Sequence, residues 1–194
     1  DWNPEEGWVE FIIMVSGKTT TMLSTYEPGD SLEDVTGPLG QPTELGKGTW
    51  AVIGGGVGLA IAFPVARQLA ATGHEVHAIM GARTKDLLLL EDQFRSEFDD
   101  EHIHITTDDG SYGEKGVVTI PLERLLQAGK VDHVFCVGPV PMMKFSTLTA
   151  AKYNTPITAS LNPIMVDGTG MCGCCRVEID GVTKFACVDG PDFD

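Results

Sequence analysis

Four of the five cysteines fall in the last quarter of the chain, at Cys172, Cys174, Cys175 and Cys187, and Asp167 precedes them. Taken as ligands, Asp167, Cys172, Cys175 and Cys187 leave four, two and eleven residues between them. That is the plant-type [2Fe–2S] spacing with an aspartate in the first position. Gly168, Gly170 and Gly173 suit a loop that wraps a cluster and turns its N–H groups toward the sulfides. Cys174 falls outside the spacing and reads as a non-ligand. Two alternatives stay open on these residues alone: a four-cysteine zinc site that includes Cys174, and a redox pair of free thiols. A disulfide framework would spread its cysteines to close long loops. Their crowding points instead to a metal centre in a reducing compartment, and so to a cytoplasmic protein.

A second constellation is the run Gly54-Gly55-Gly56-Val57-Gly58-Leu59-Ala60, placed where a buried strand turns into a helix. Glycines there let a backbone approach a pyrophosphate, and the helix N-terminus offers it N–H groups and positive dipole. The strict G-x-G-x-x-G pattern is not met, because Leu59 stands at its third glycine. The acid expected after the second strand is also missing; Ala82-Arg83 stand there. Two further loops follow strands at the same edge. One is Cys136-Val137-Gly138-Pro139-Val140-Pro141-Met142, and the other is Asp108-Asp109-Gly110-Ser111-Tyr112-Gly113. In an open parallel sheet, ligands occupy the crevice beyond those strand ends. Cys136 also fits an ordinary buried thiol, and the aspartate-rich loop also fits plain surface.

These loops require a frame to hold them. From 48 to 161 the pattern alternates strand and helix, which implies an α/β fold with a parallel sheet and helices on both faces. Expected strands are Thr49–Gly54, Glu75–Gly81, His102–Thr106, Asp132–Val137 and Pro156–Leu161; expected helices are Val57–Thr72, Asp86–Phe98, Pro121–Ala128 and Pro141–Lys152. Before this lie two expected strands, Trp8–Val15 and Leu32–Thr36, with a turn and short helix from Ser16 to Leu23. Two strands and one helix are too little for a domain. Residues 162–194 show little periodicity and too few apolar residues to hold themselves, so a bound metal would supply what their core lacks. The chain therefore divides into 1–47, 48–161 and 162–194.

The 194 residues carry 28 acidic against 13 basic side chains, a net charge of −15. Such a balance argues against nucleic acid and against a polybasic membrane anchor. The longest greasy stretch, Trp50–Val65, is interrupted by glycines and a proline and falls short of the ~20 residues of a membrane span. No secretion signal is visible, and the first residue is Asp1 rather than Met.

In their order, Gly-Lys-Thr-Thr (17–20), Gly-Pro-Leu-Gly (37–40), the glycine run, Gly-Ala-Arg (81–83), Asp-Asp-Gly-Ser-Tyr-Gly (108–113), Cys-Val-Gly-Pro (136–139) and the cysteine loop match a family. The whole chain resembles the flavin and iron–sulfur electron-transfer subunits related to that of dihydroorotate dehydrogenase. Within them it is most similar to the small subunits of NADH-dependent reduced ferredoxin:NADP oxidoreductase.

The resemblance implies the C-terminal part of a β-barrel FAD domain over 1–47, a ferredoxin-reductase-type nucleotide domain over 48–161 and a small [2Fe–2S] domain over 162–194. It places FAD at Gly17, Lys18, Thr19 and Thr20. The pyridine nucleotide, NAD(H), falls to Gly54, Gly55, Gly56, Gly58, Arg83, Asp109, Gly110, Ser111, Cys136, Gly138, Pro139 and Met142. It implies a heterodimer with a larger flavin and [4Fe–4S] subunit, and ferredoxin as a partner through that complex. Electrons would pass between NADH, FAD and the cluster with no catalytic side chain. Aspartate at 167 resembles the ferredoxin:NADP oxidoreductase branch, whereas the dihydroorotate dehydrogenase subunit has cysteine there. The family's flavin-stacking Arg-x-x-(Ser/Thr) strand is not found, so the sequence reads as a fragment short at both ends. The rival outside the family is a non-redox nucleotide-binding module with a structural zinc knot.

Overall fold

The structure, a computed structural model, describes residues 2–194, and the chain divides into two units at Leu39 and Gly40. In the first unit, β1 (Trp2–Asn3) pairs antiparallel with β2 (Trp8–Val9), and α1 spans Lys18–Leu23. The expected strands Trp8–Val15 and Leu32–Thr36 are therefore corrected. The first is a ladder only at Trp8–Val9, and residues 32–36 form no strand. A strand exists only where a neighbour takes its N–H and C=O groups. Phe11, Ile12, Ile13, Met14 and Val15 have strand-forming side chains, yet all are 42–60% exposed.

The second unit is built on a seven-stranded sheet. Trp50-Ala51-Val52-Ile53 is apolar without alternation, as a strand buried on both faces must be. It forms β3 (Trp50–Gly55), buried at every position. Chain order continues with α2 (Leu59–Ala71), β4 (Val76–Ala82), α3 (Glu91–Glu97), β5 (Ile103–Thr107), β6 (Glu114–Lys115), α4 (Thr119–Gln127), β7 (His133–Val137), α5 (Val140–Lys152) and β8 (Ile157–Ser160). The remaining elements are β9 (Arg176–Ile179), β10 (Val182–Phe185), α6 (Ala186–Asp189) and β11 (Asp192–Phe193). The strand order is β11-β8-β7-β3-β4-β5-β6, parallel except for β11. Leu59, Ala62, Ala66 and Leu69 of α2, with Phe94 of α3, pack on one face. Leu122, Leu125 and Leu126 of α4, with Met143 and Ala150 of α5, pack on the other. The expected α/β sheet with helices on both faces is what forms.

Two departures have local causes. The helix expected over Asp86–Phe98 is a 3₁₀ turn at Lys85–Leu87 followed by α3, because Leu90 takes a left-handed conformation (φ 59°) that interrupts the ladder. Residues 162–194 are more structured than their composition suggested. They hold the β9–β10 hairpin and α6, and β11 joins the sheet through Asp192↔Ser160 and Phe193↔Ala159. The connecting stretch clamps the same region: Gln41 N–H donates to the Gly190 carbonyl (2.7 Å), and Thr43 Oγ1 donates to Asp192 Oδ2 (2.5 Å). Among the described residues, no helix is long and apolar enough to cross a membrane.

Candidate functional site

The C-terminal ends of β3, β4, β5 and β7 gather three of the loops singled out by sequence. A side chain on Gly54 would meet Leu59 Cδ2 at 2.7 Å and Ala62 Cβ at 2.9 Å; one on Gly55 would meet Met142 Sδ at 2.4 Å. At Gly58 the obstacle is backbone, the Val137 carbonyl oxygen at 2.5 Å. These three glycines are thus required by the approach of α2 and of the 137–142 loop. Gly56 differs. It has φ +55°, and a Cβ there would meet nothing within 4 Å. It is the glycine of the run whose backbone faces open space, just before the 13-residue helix α2. Gly138 (φ +154°) lies with its Cα side against the Gly55 backbone, and Pro139 begins the turn into α5. The two loops interlock at one strand edge.

Cys136 is fully buried, on the α4–α5 face of the sheet, and that burial pushes its thiol up to about 12. The structure gives its side chain a packing position, while the backbone following it reaches the crevice. On the other side of β3, Arg83 is exposed just past the end of β4, and its carbonyl accepts the Asp109 N–H (3.3 Å). Asp109 Oδ1 accepts the Ser111 N–H (2.9 Å), which holds its carboxyl below the usual carboxylate range. Gly110 takes φ +77° in this turn. Ser111 Oγ accepts the Lys85 N–H (2.9 Å). Lys85 was not singled out by sequence. Its ammonium lies 4.7 Å from the centre of the Tyr112 ring, a second cation at the edge that Arg83 occupies. A lysine in a polar turn gives no distinguishing sequence signal.

In the cysteine segment the Sγ atoms of Cys175 and Cys187 are 3.3 Å apart, and both residues are buried. The Cys187 N–H points to Cys175 Sγ (3.5 Å) and the Ala186 N–H to the Cys175 carbonyl (3.1 Å). Asp167 closes the preceding loop: Oδ1 accepts the Thr169 N–H and Oδ2 the Cys172 N–H, each at 2.7 Å. Those bonds draw its carboxyl below the usual range and leave it ionised, with lone pairs to spare for a metal. Gly168, Gly170 and Gly173 take positive φ values of 73°, 87° and 68°, which wrap the loop as expected. Cys172 and Cys174 are exposed. This donor set suits an iron–sulfur cluster. Two sulfurs lie close enough to share one iron after a shift of a few tenths of an ångström, since metal–sulfur bonds of ~2.3 Å set tetrahedral neighbours about 3.7 Å apart, and an ionised oxygen lies beside the third cysteine.

The third region is α1. Thr20 Oγ1 accepts the N–H groups of Ser16 and Gly17 (3.0 Å each), which fixes the turn that opens the helix. A Cβ on Gly17 would meet nothing within 4 Å, and Lys18 and Thr19 are exposed. A cleft of about 140 Å³ beside it is lined by Phe11, Ile13, Val15, Thr20, Leu23 and Ser24. An open glycine at a helix start beside apolar side chains suits a flavin diphosphate.

Comparison with known proteins shows what the chain is similar to. Residues 162–194 match the iron–sulfur cluster binding domain of dihydroorotate dehydrogenase B. The whole chain is 50% identical to a dihydroorotate dehydrogenase B (NAD(+)) electron transfer subunit homolog of Thermotoga maritima, covering 68% of that protein. It is 34% identical to a probable electron transfer subunit of the same enzyme from Methanocaldococcus jannaschii, over 94% of this chain and 69% of the relative. Among solved structures, one of the NADH-dependent reduced ferredoxin-NADP oxidoreductase, obtained to study flavin-based electron bifurcation, superposes with a TM-score of 0.88. The identity is 48%, over 100% of this chain and 69% of that one.

Proposed function

As the chain belongs to the family of electron-transfer subunits that includes that of dihydroorotate dehydrogenase B, we propose that it carries electrons between NAD(H), FAD and a [2Fe–2S] cluster as part of an electron-bifurcating ferredoxin:NADP oxidoreductase. It is a subunit of a larger assembly. Its partner is a larger flavin and [4Fe–4S] subunit in a cytoplasmic heterodimer that meets ferredoxin. The observation that carries this reading is the Cys175–Cys187 pair, buried with sulfurs 3.3 Å apart in a segment tied to the nucleotide-binding sheet by β11.

When bound, the cofactors supply the hydride and single-electron chemistry. The chain's own residues bind and orient. Asp167, Cys172, Cys175 and Cys187 hold the cluster. Gly56, at the start of α2, offers backbone to the pyrophosphate, while Gly54, Gly55, Gly58, Gly138, Pro139 and Met142 shape that crevice. Cys136 supports it from below. Arg83, Asp109, Gly110 and Ser111 border the adenosine side. Gly17, Lys18, Thr19 and Thr20 cap the flavin diphosphate. Residues 1–47, 48–161 and 162–194 serve FAD, NAD(H) and the cluster in turn.

Anaerobic purification with iron and sulfide analysis tests the reading. Equal iron and sulfide with a red-brown spectrum is expected; a colourless zinc protein would contradict it. For the nucleotide, calorimetry should show NADH bound at least tenfold more tightly than NADPH, ~1.4 kcal/mol. Tighter NADPH, lost in Arg83→Ala, would make Arg83 a reader of the 2′-phosphate. The names of the relatives favour a second reading, service to a dihydroorotate-oxidising subunit. Aspartate at 167, where the resemblance gives that branch a cysteine, weighs against it.

A further inference from the structure

At the opposite end of the strands from the nucleotide crevice, four side chains meet that none of these roles uses. Parallel pairing of β4 with β5 (Ala78↔Ile103, Ile79↔His104) sets His77 beside the turn that carries His102. Strand alternation puts His77 and His104 on the same, α4-packed face as Ile79. His77 Nε2 lies 3.7 Å from Glu75 Oε1, and His102 Nε2 lies 3.5 Å from the same oxygen. All three ligand atoms are within 4.8 Å of one another. Bonds of 2.0–2.1 Å in a tetrahedral arrangement place neighbouring ligand atoms about 3.3 Å apart, so small side-chain shifts close this set on one ion.

The protonation of His77 makes the case. The residue is 4% exposed, and its Nε2 is a buried atom with no hydrogen-bond partner. Its Nδ1 is 3.3 Å from His104 Nε2, so that ring edge is occupied. If Nδ1 carries the proton and donates it to His104, Nε2 turns a lone pair toward a carboxylate. If Nε2 carries it instead, the N–H reaches toward Glu75 at a distance too long for a hydrogen bond. A cation between the lone pairs of His77, His102 and Glu75 satisfies all three. A metal-binding imidazole is oriented by an acceptor held against its far nitrogen, and here His104 Nε2 takes the place that a carboxylate, carbonyl or water commonly fills.

We propose that Glu75, His77 and His102 form a divalent-cation site of the zinc class, with His104 as the positioning residue. Two imidazoles and one carboxylate suit Zn²⁺ and its neighbours Co²⁺ and Ni²⁺ rather than Mg²⁺ or Ca²⁺. Glu75 is 58% exposed, which leaves the fourth position open to water. The ion would strap the start of β4 to the turn before β5. His102 also neighbours Asp99 and Glu101, but those acids are exposed and no unpartnered buried atom faces them.

The test uses the full chain with its iron–sulfur cluster in place, so that the cysteines are occupied. It is dialysed against micromolar Zn²⁺, and zinc and iron are measured together. The expected result is one zinc per chain with iron unchanged. Glu75→Gln, at the surface, and His102→Gln, half-buried, should each weaken binding at least tenfold. His104→Gln should weaken it by about tenfold, and Glu101→Gln should leave it unchanged. No zinc uptake by the parent, or uptake by Glu75→Gln and His102→Gln as tight as the parent's, overturns the site. So does a loss that follows Glu101 rather than Glu75.

Discussion

The nucleotide crevice and the cysteine segment sit on the same sheet but are held by different means. At the crevice, Gly54, Gly55 and Gly58 are wedged against Leu59, Ala62, Met142 and the Val137 backbone, and β3 beneath them is buried at every position. Its shape follows from packing and stands whether or not a nucleotide is present. In residues 162–194, by contrast, the buried apolar core is Cys175, Ala186 and Cys187, with Phe185 and Phe193 partly covering it. Two of those three are proposed ligands. One site is shaped by its core and receives a ligand; the other has a ligand in place of a core.

The sharpest way to break this contrast is to remove the iron. Chelation, or Cys172→Ser, should bleach the visible spectrum and make residues 162–194 sensitive to protease, while the sheet keeps its cooperative melt. Loss of both together would mean that the two regions are one cooperative unit. Next in size is Gly58→Ala. The added carbon would lie 2.5 Å from the Val137 carbonyl oxygen, a backbone atom that cannot swing away. Urea unfolding should show a loss of about 1–3 kcal/mol, with iron content unchanged.

Gly56→Asn sharpens the division among the glycines. Asparagine tolerates the left-handed φ of +55° and meets open space, so stability should hold within about 0.5 kcal/mol. NADH binding by calorimetry should weaken by roughly tenfold, ~1.4 kcal/mol. Unchanged affinity would remove Gly56 from the site.

The smallest effect concerns thiols. Iodoacetamide at about pH 8.5 should label Cys174 and spare Cys136 in the folded protein. The Cys136 thiol is raised to about 12, above the ~8.5 of an unfolded thiol. The stability it lends is therefore complete below the unfolded value and is lost as pH rises toward the folded one. Cys136→Ala should lessen the alkaline fall in melting temperature over that window.

The centre of the parallel sheet was legible because β3, β4 and β7 carry dense apolar runs between glycine, proline or polar stops, whereas β6, only Glu114–Lys115, has none. Strand boundaries shifted by a residue or so. The N-terminal strands were over-read, since Phe11–Val15 has the side chains of a strand but no ladder, and composition cannot supply the partner. Leu90 broke a helix with no glycine or proline to announce it. β11 was hidden by its length of two residues. For the sites, spacing singled out Asp167 and the cysteines because their geometry is local. His77 and His104 come from β4 and β5, Glu75 from the residue just before β4 and His102 from the turn before β5, and only the β4–β5 register brings them together.

The central claim is the ligand set, and low-temperature electron paramagnetic resonance of the dithionite-reduced protein tests it most directly. The parent should give the rhombic signal of a reduced [2Fe–2S] centre. Cys174→Ser should retain it at full intensity, Asp167→Cys should retain it with altered g values, and Cys172→Ser should lose it. Loss in Cys174→Ser, or an Asp167→Cys spectrum identical to the parent's, would contradict the assignment of Asp167, Cys172, Cys175 and Cys187.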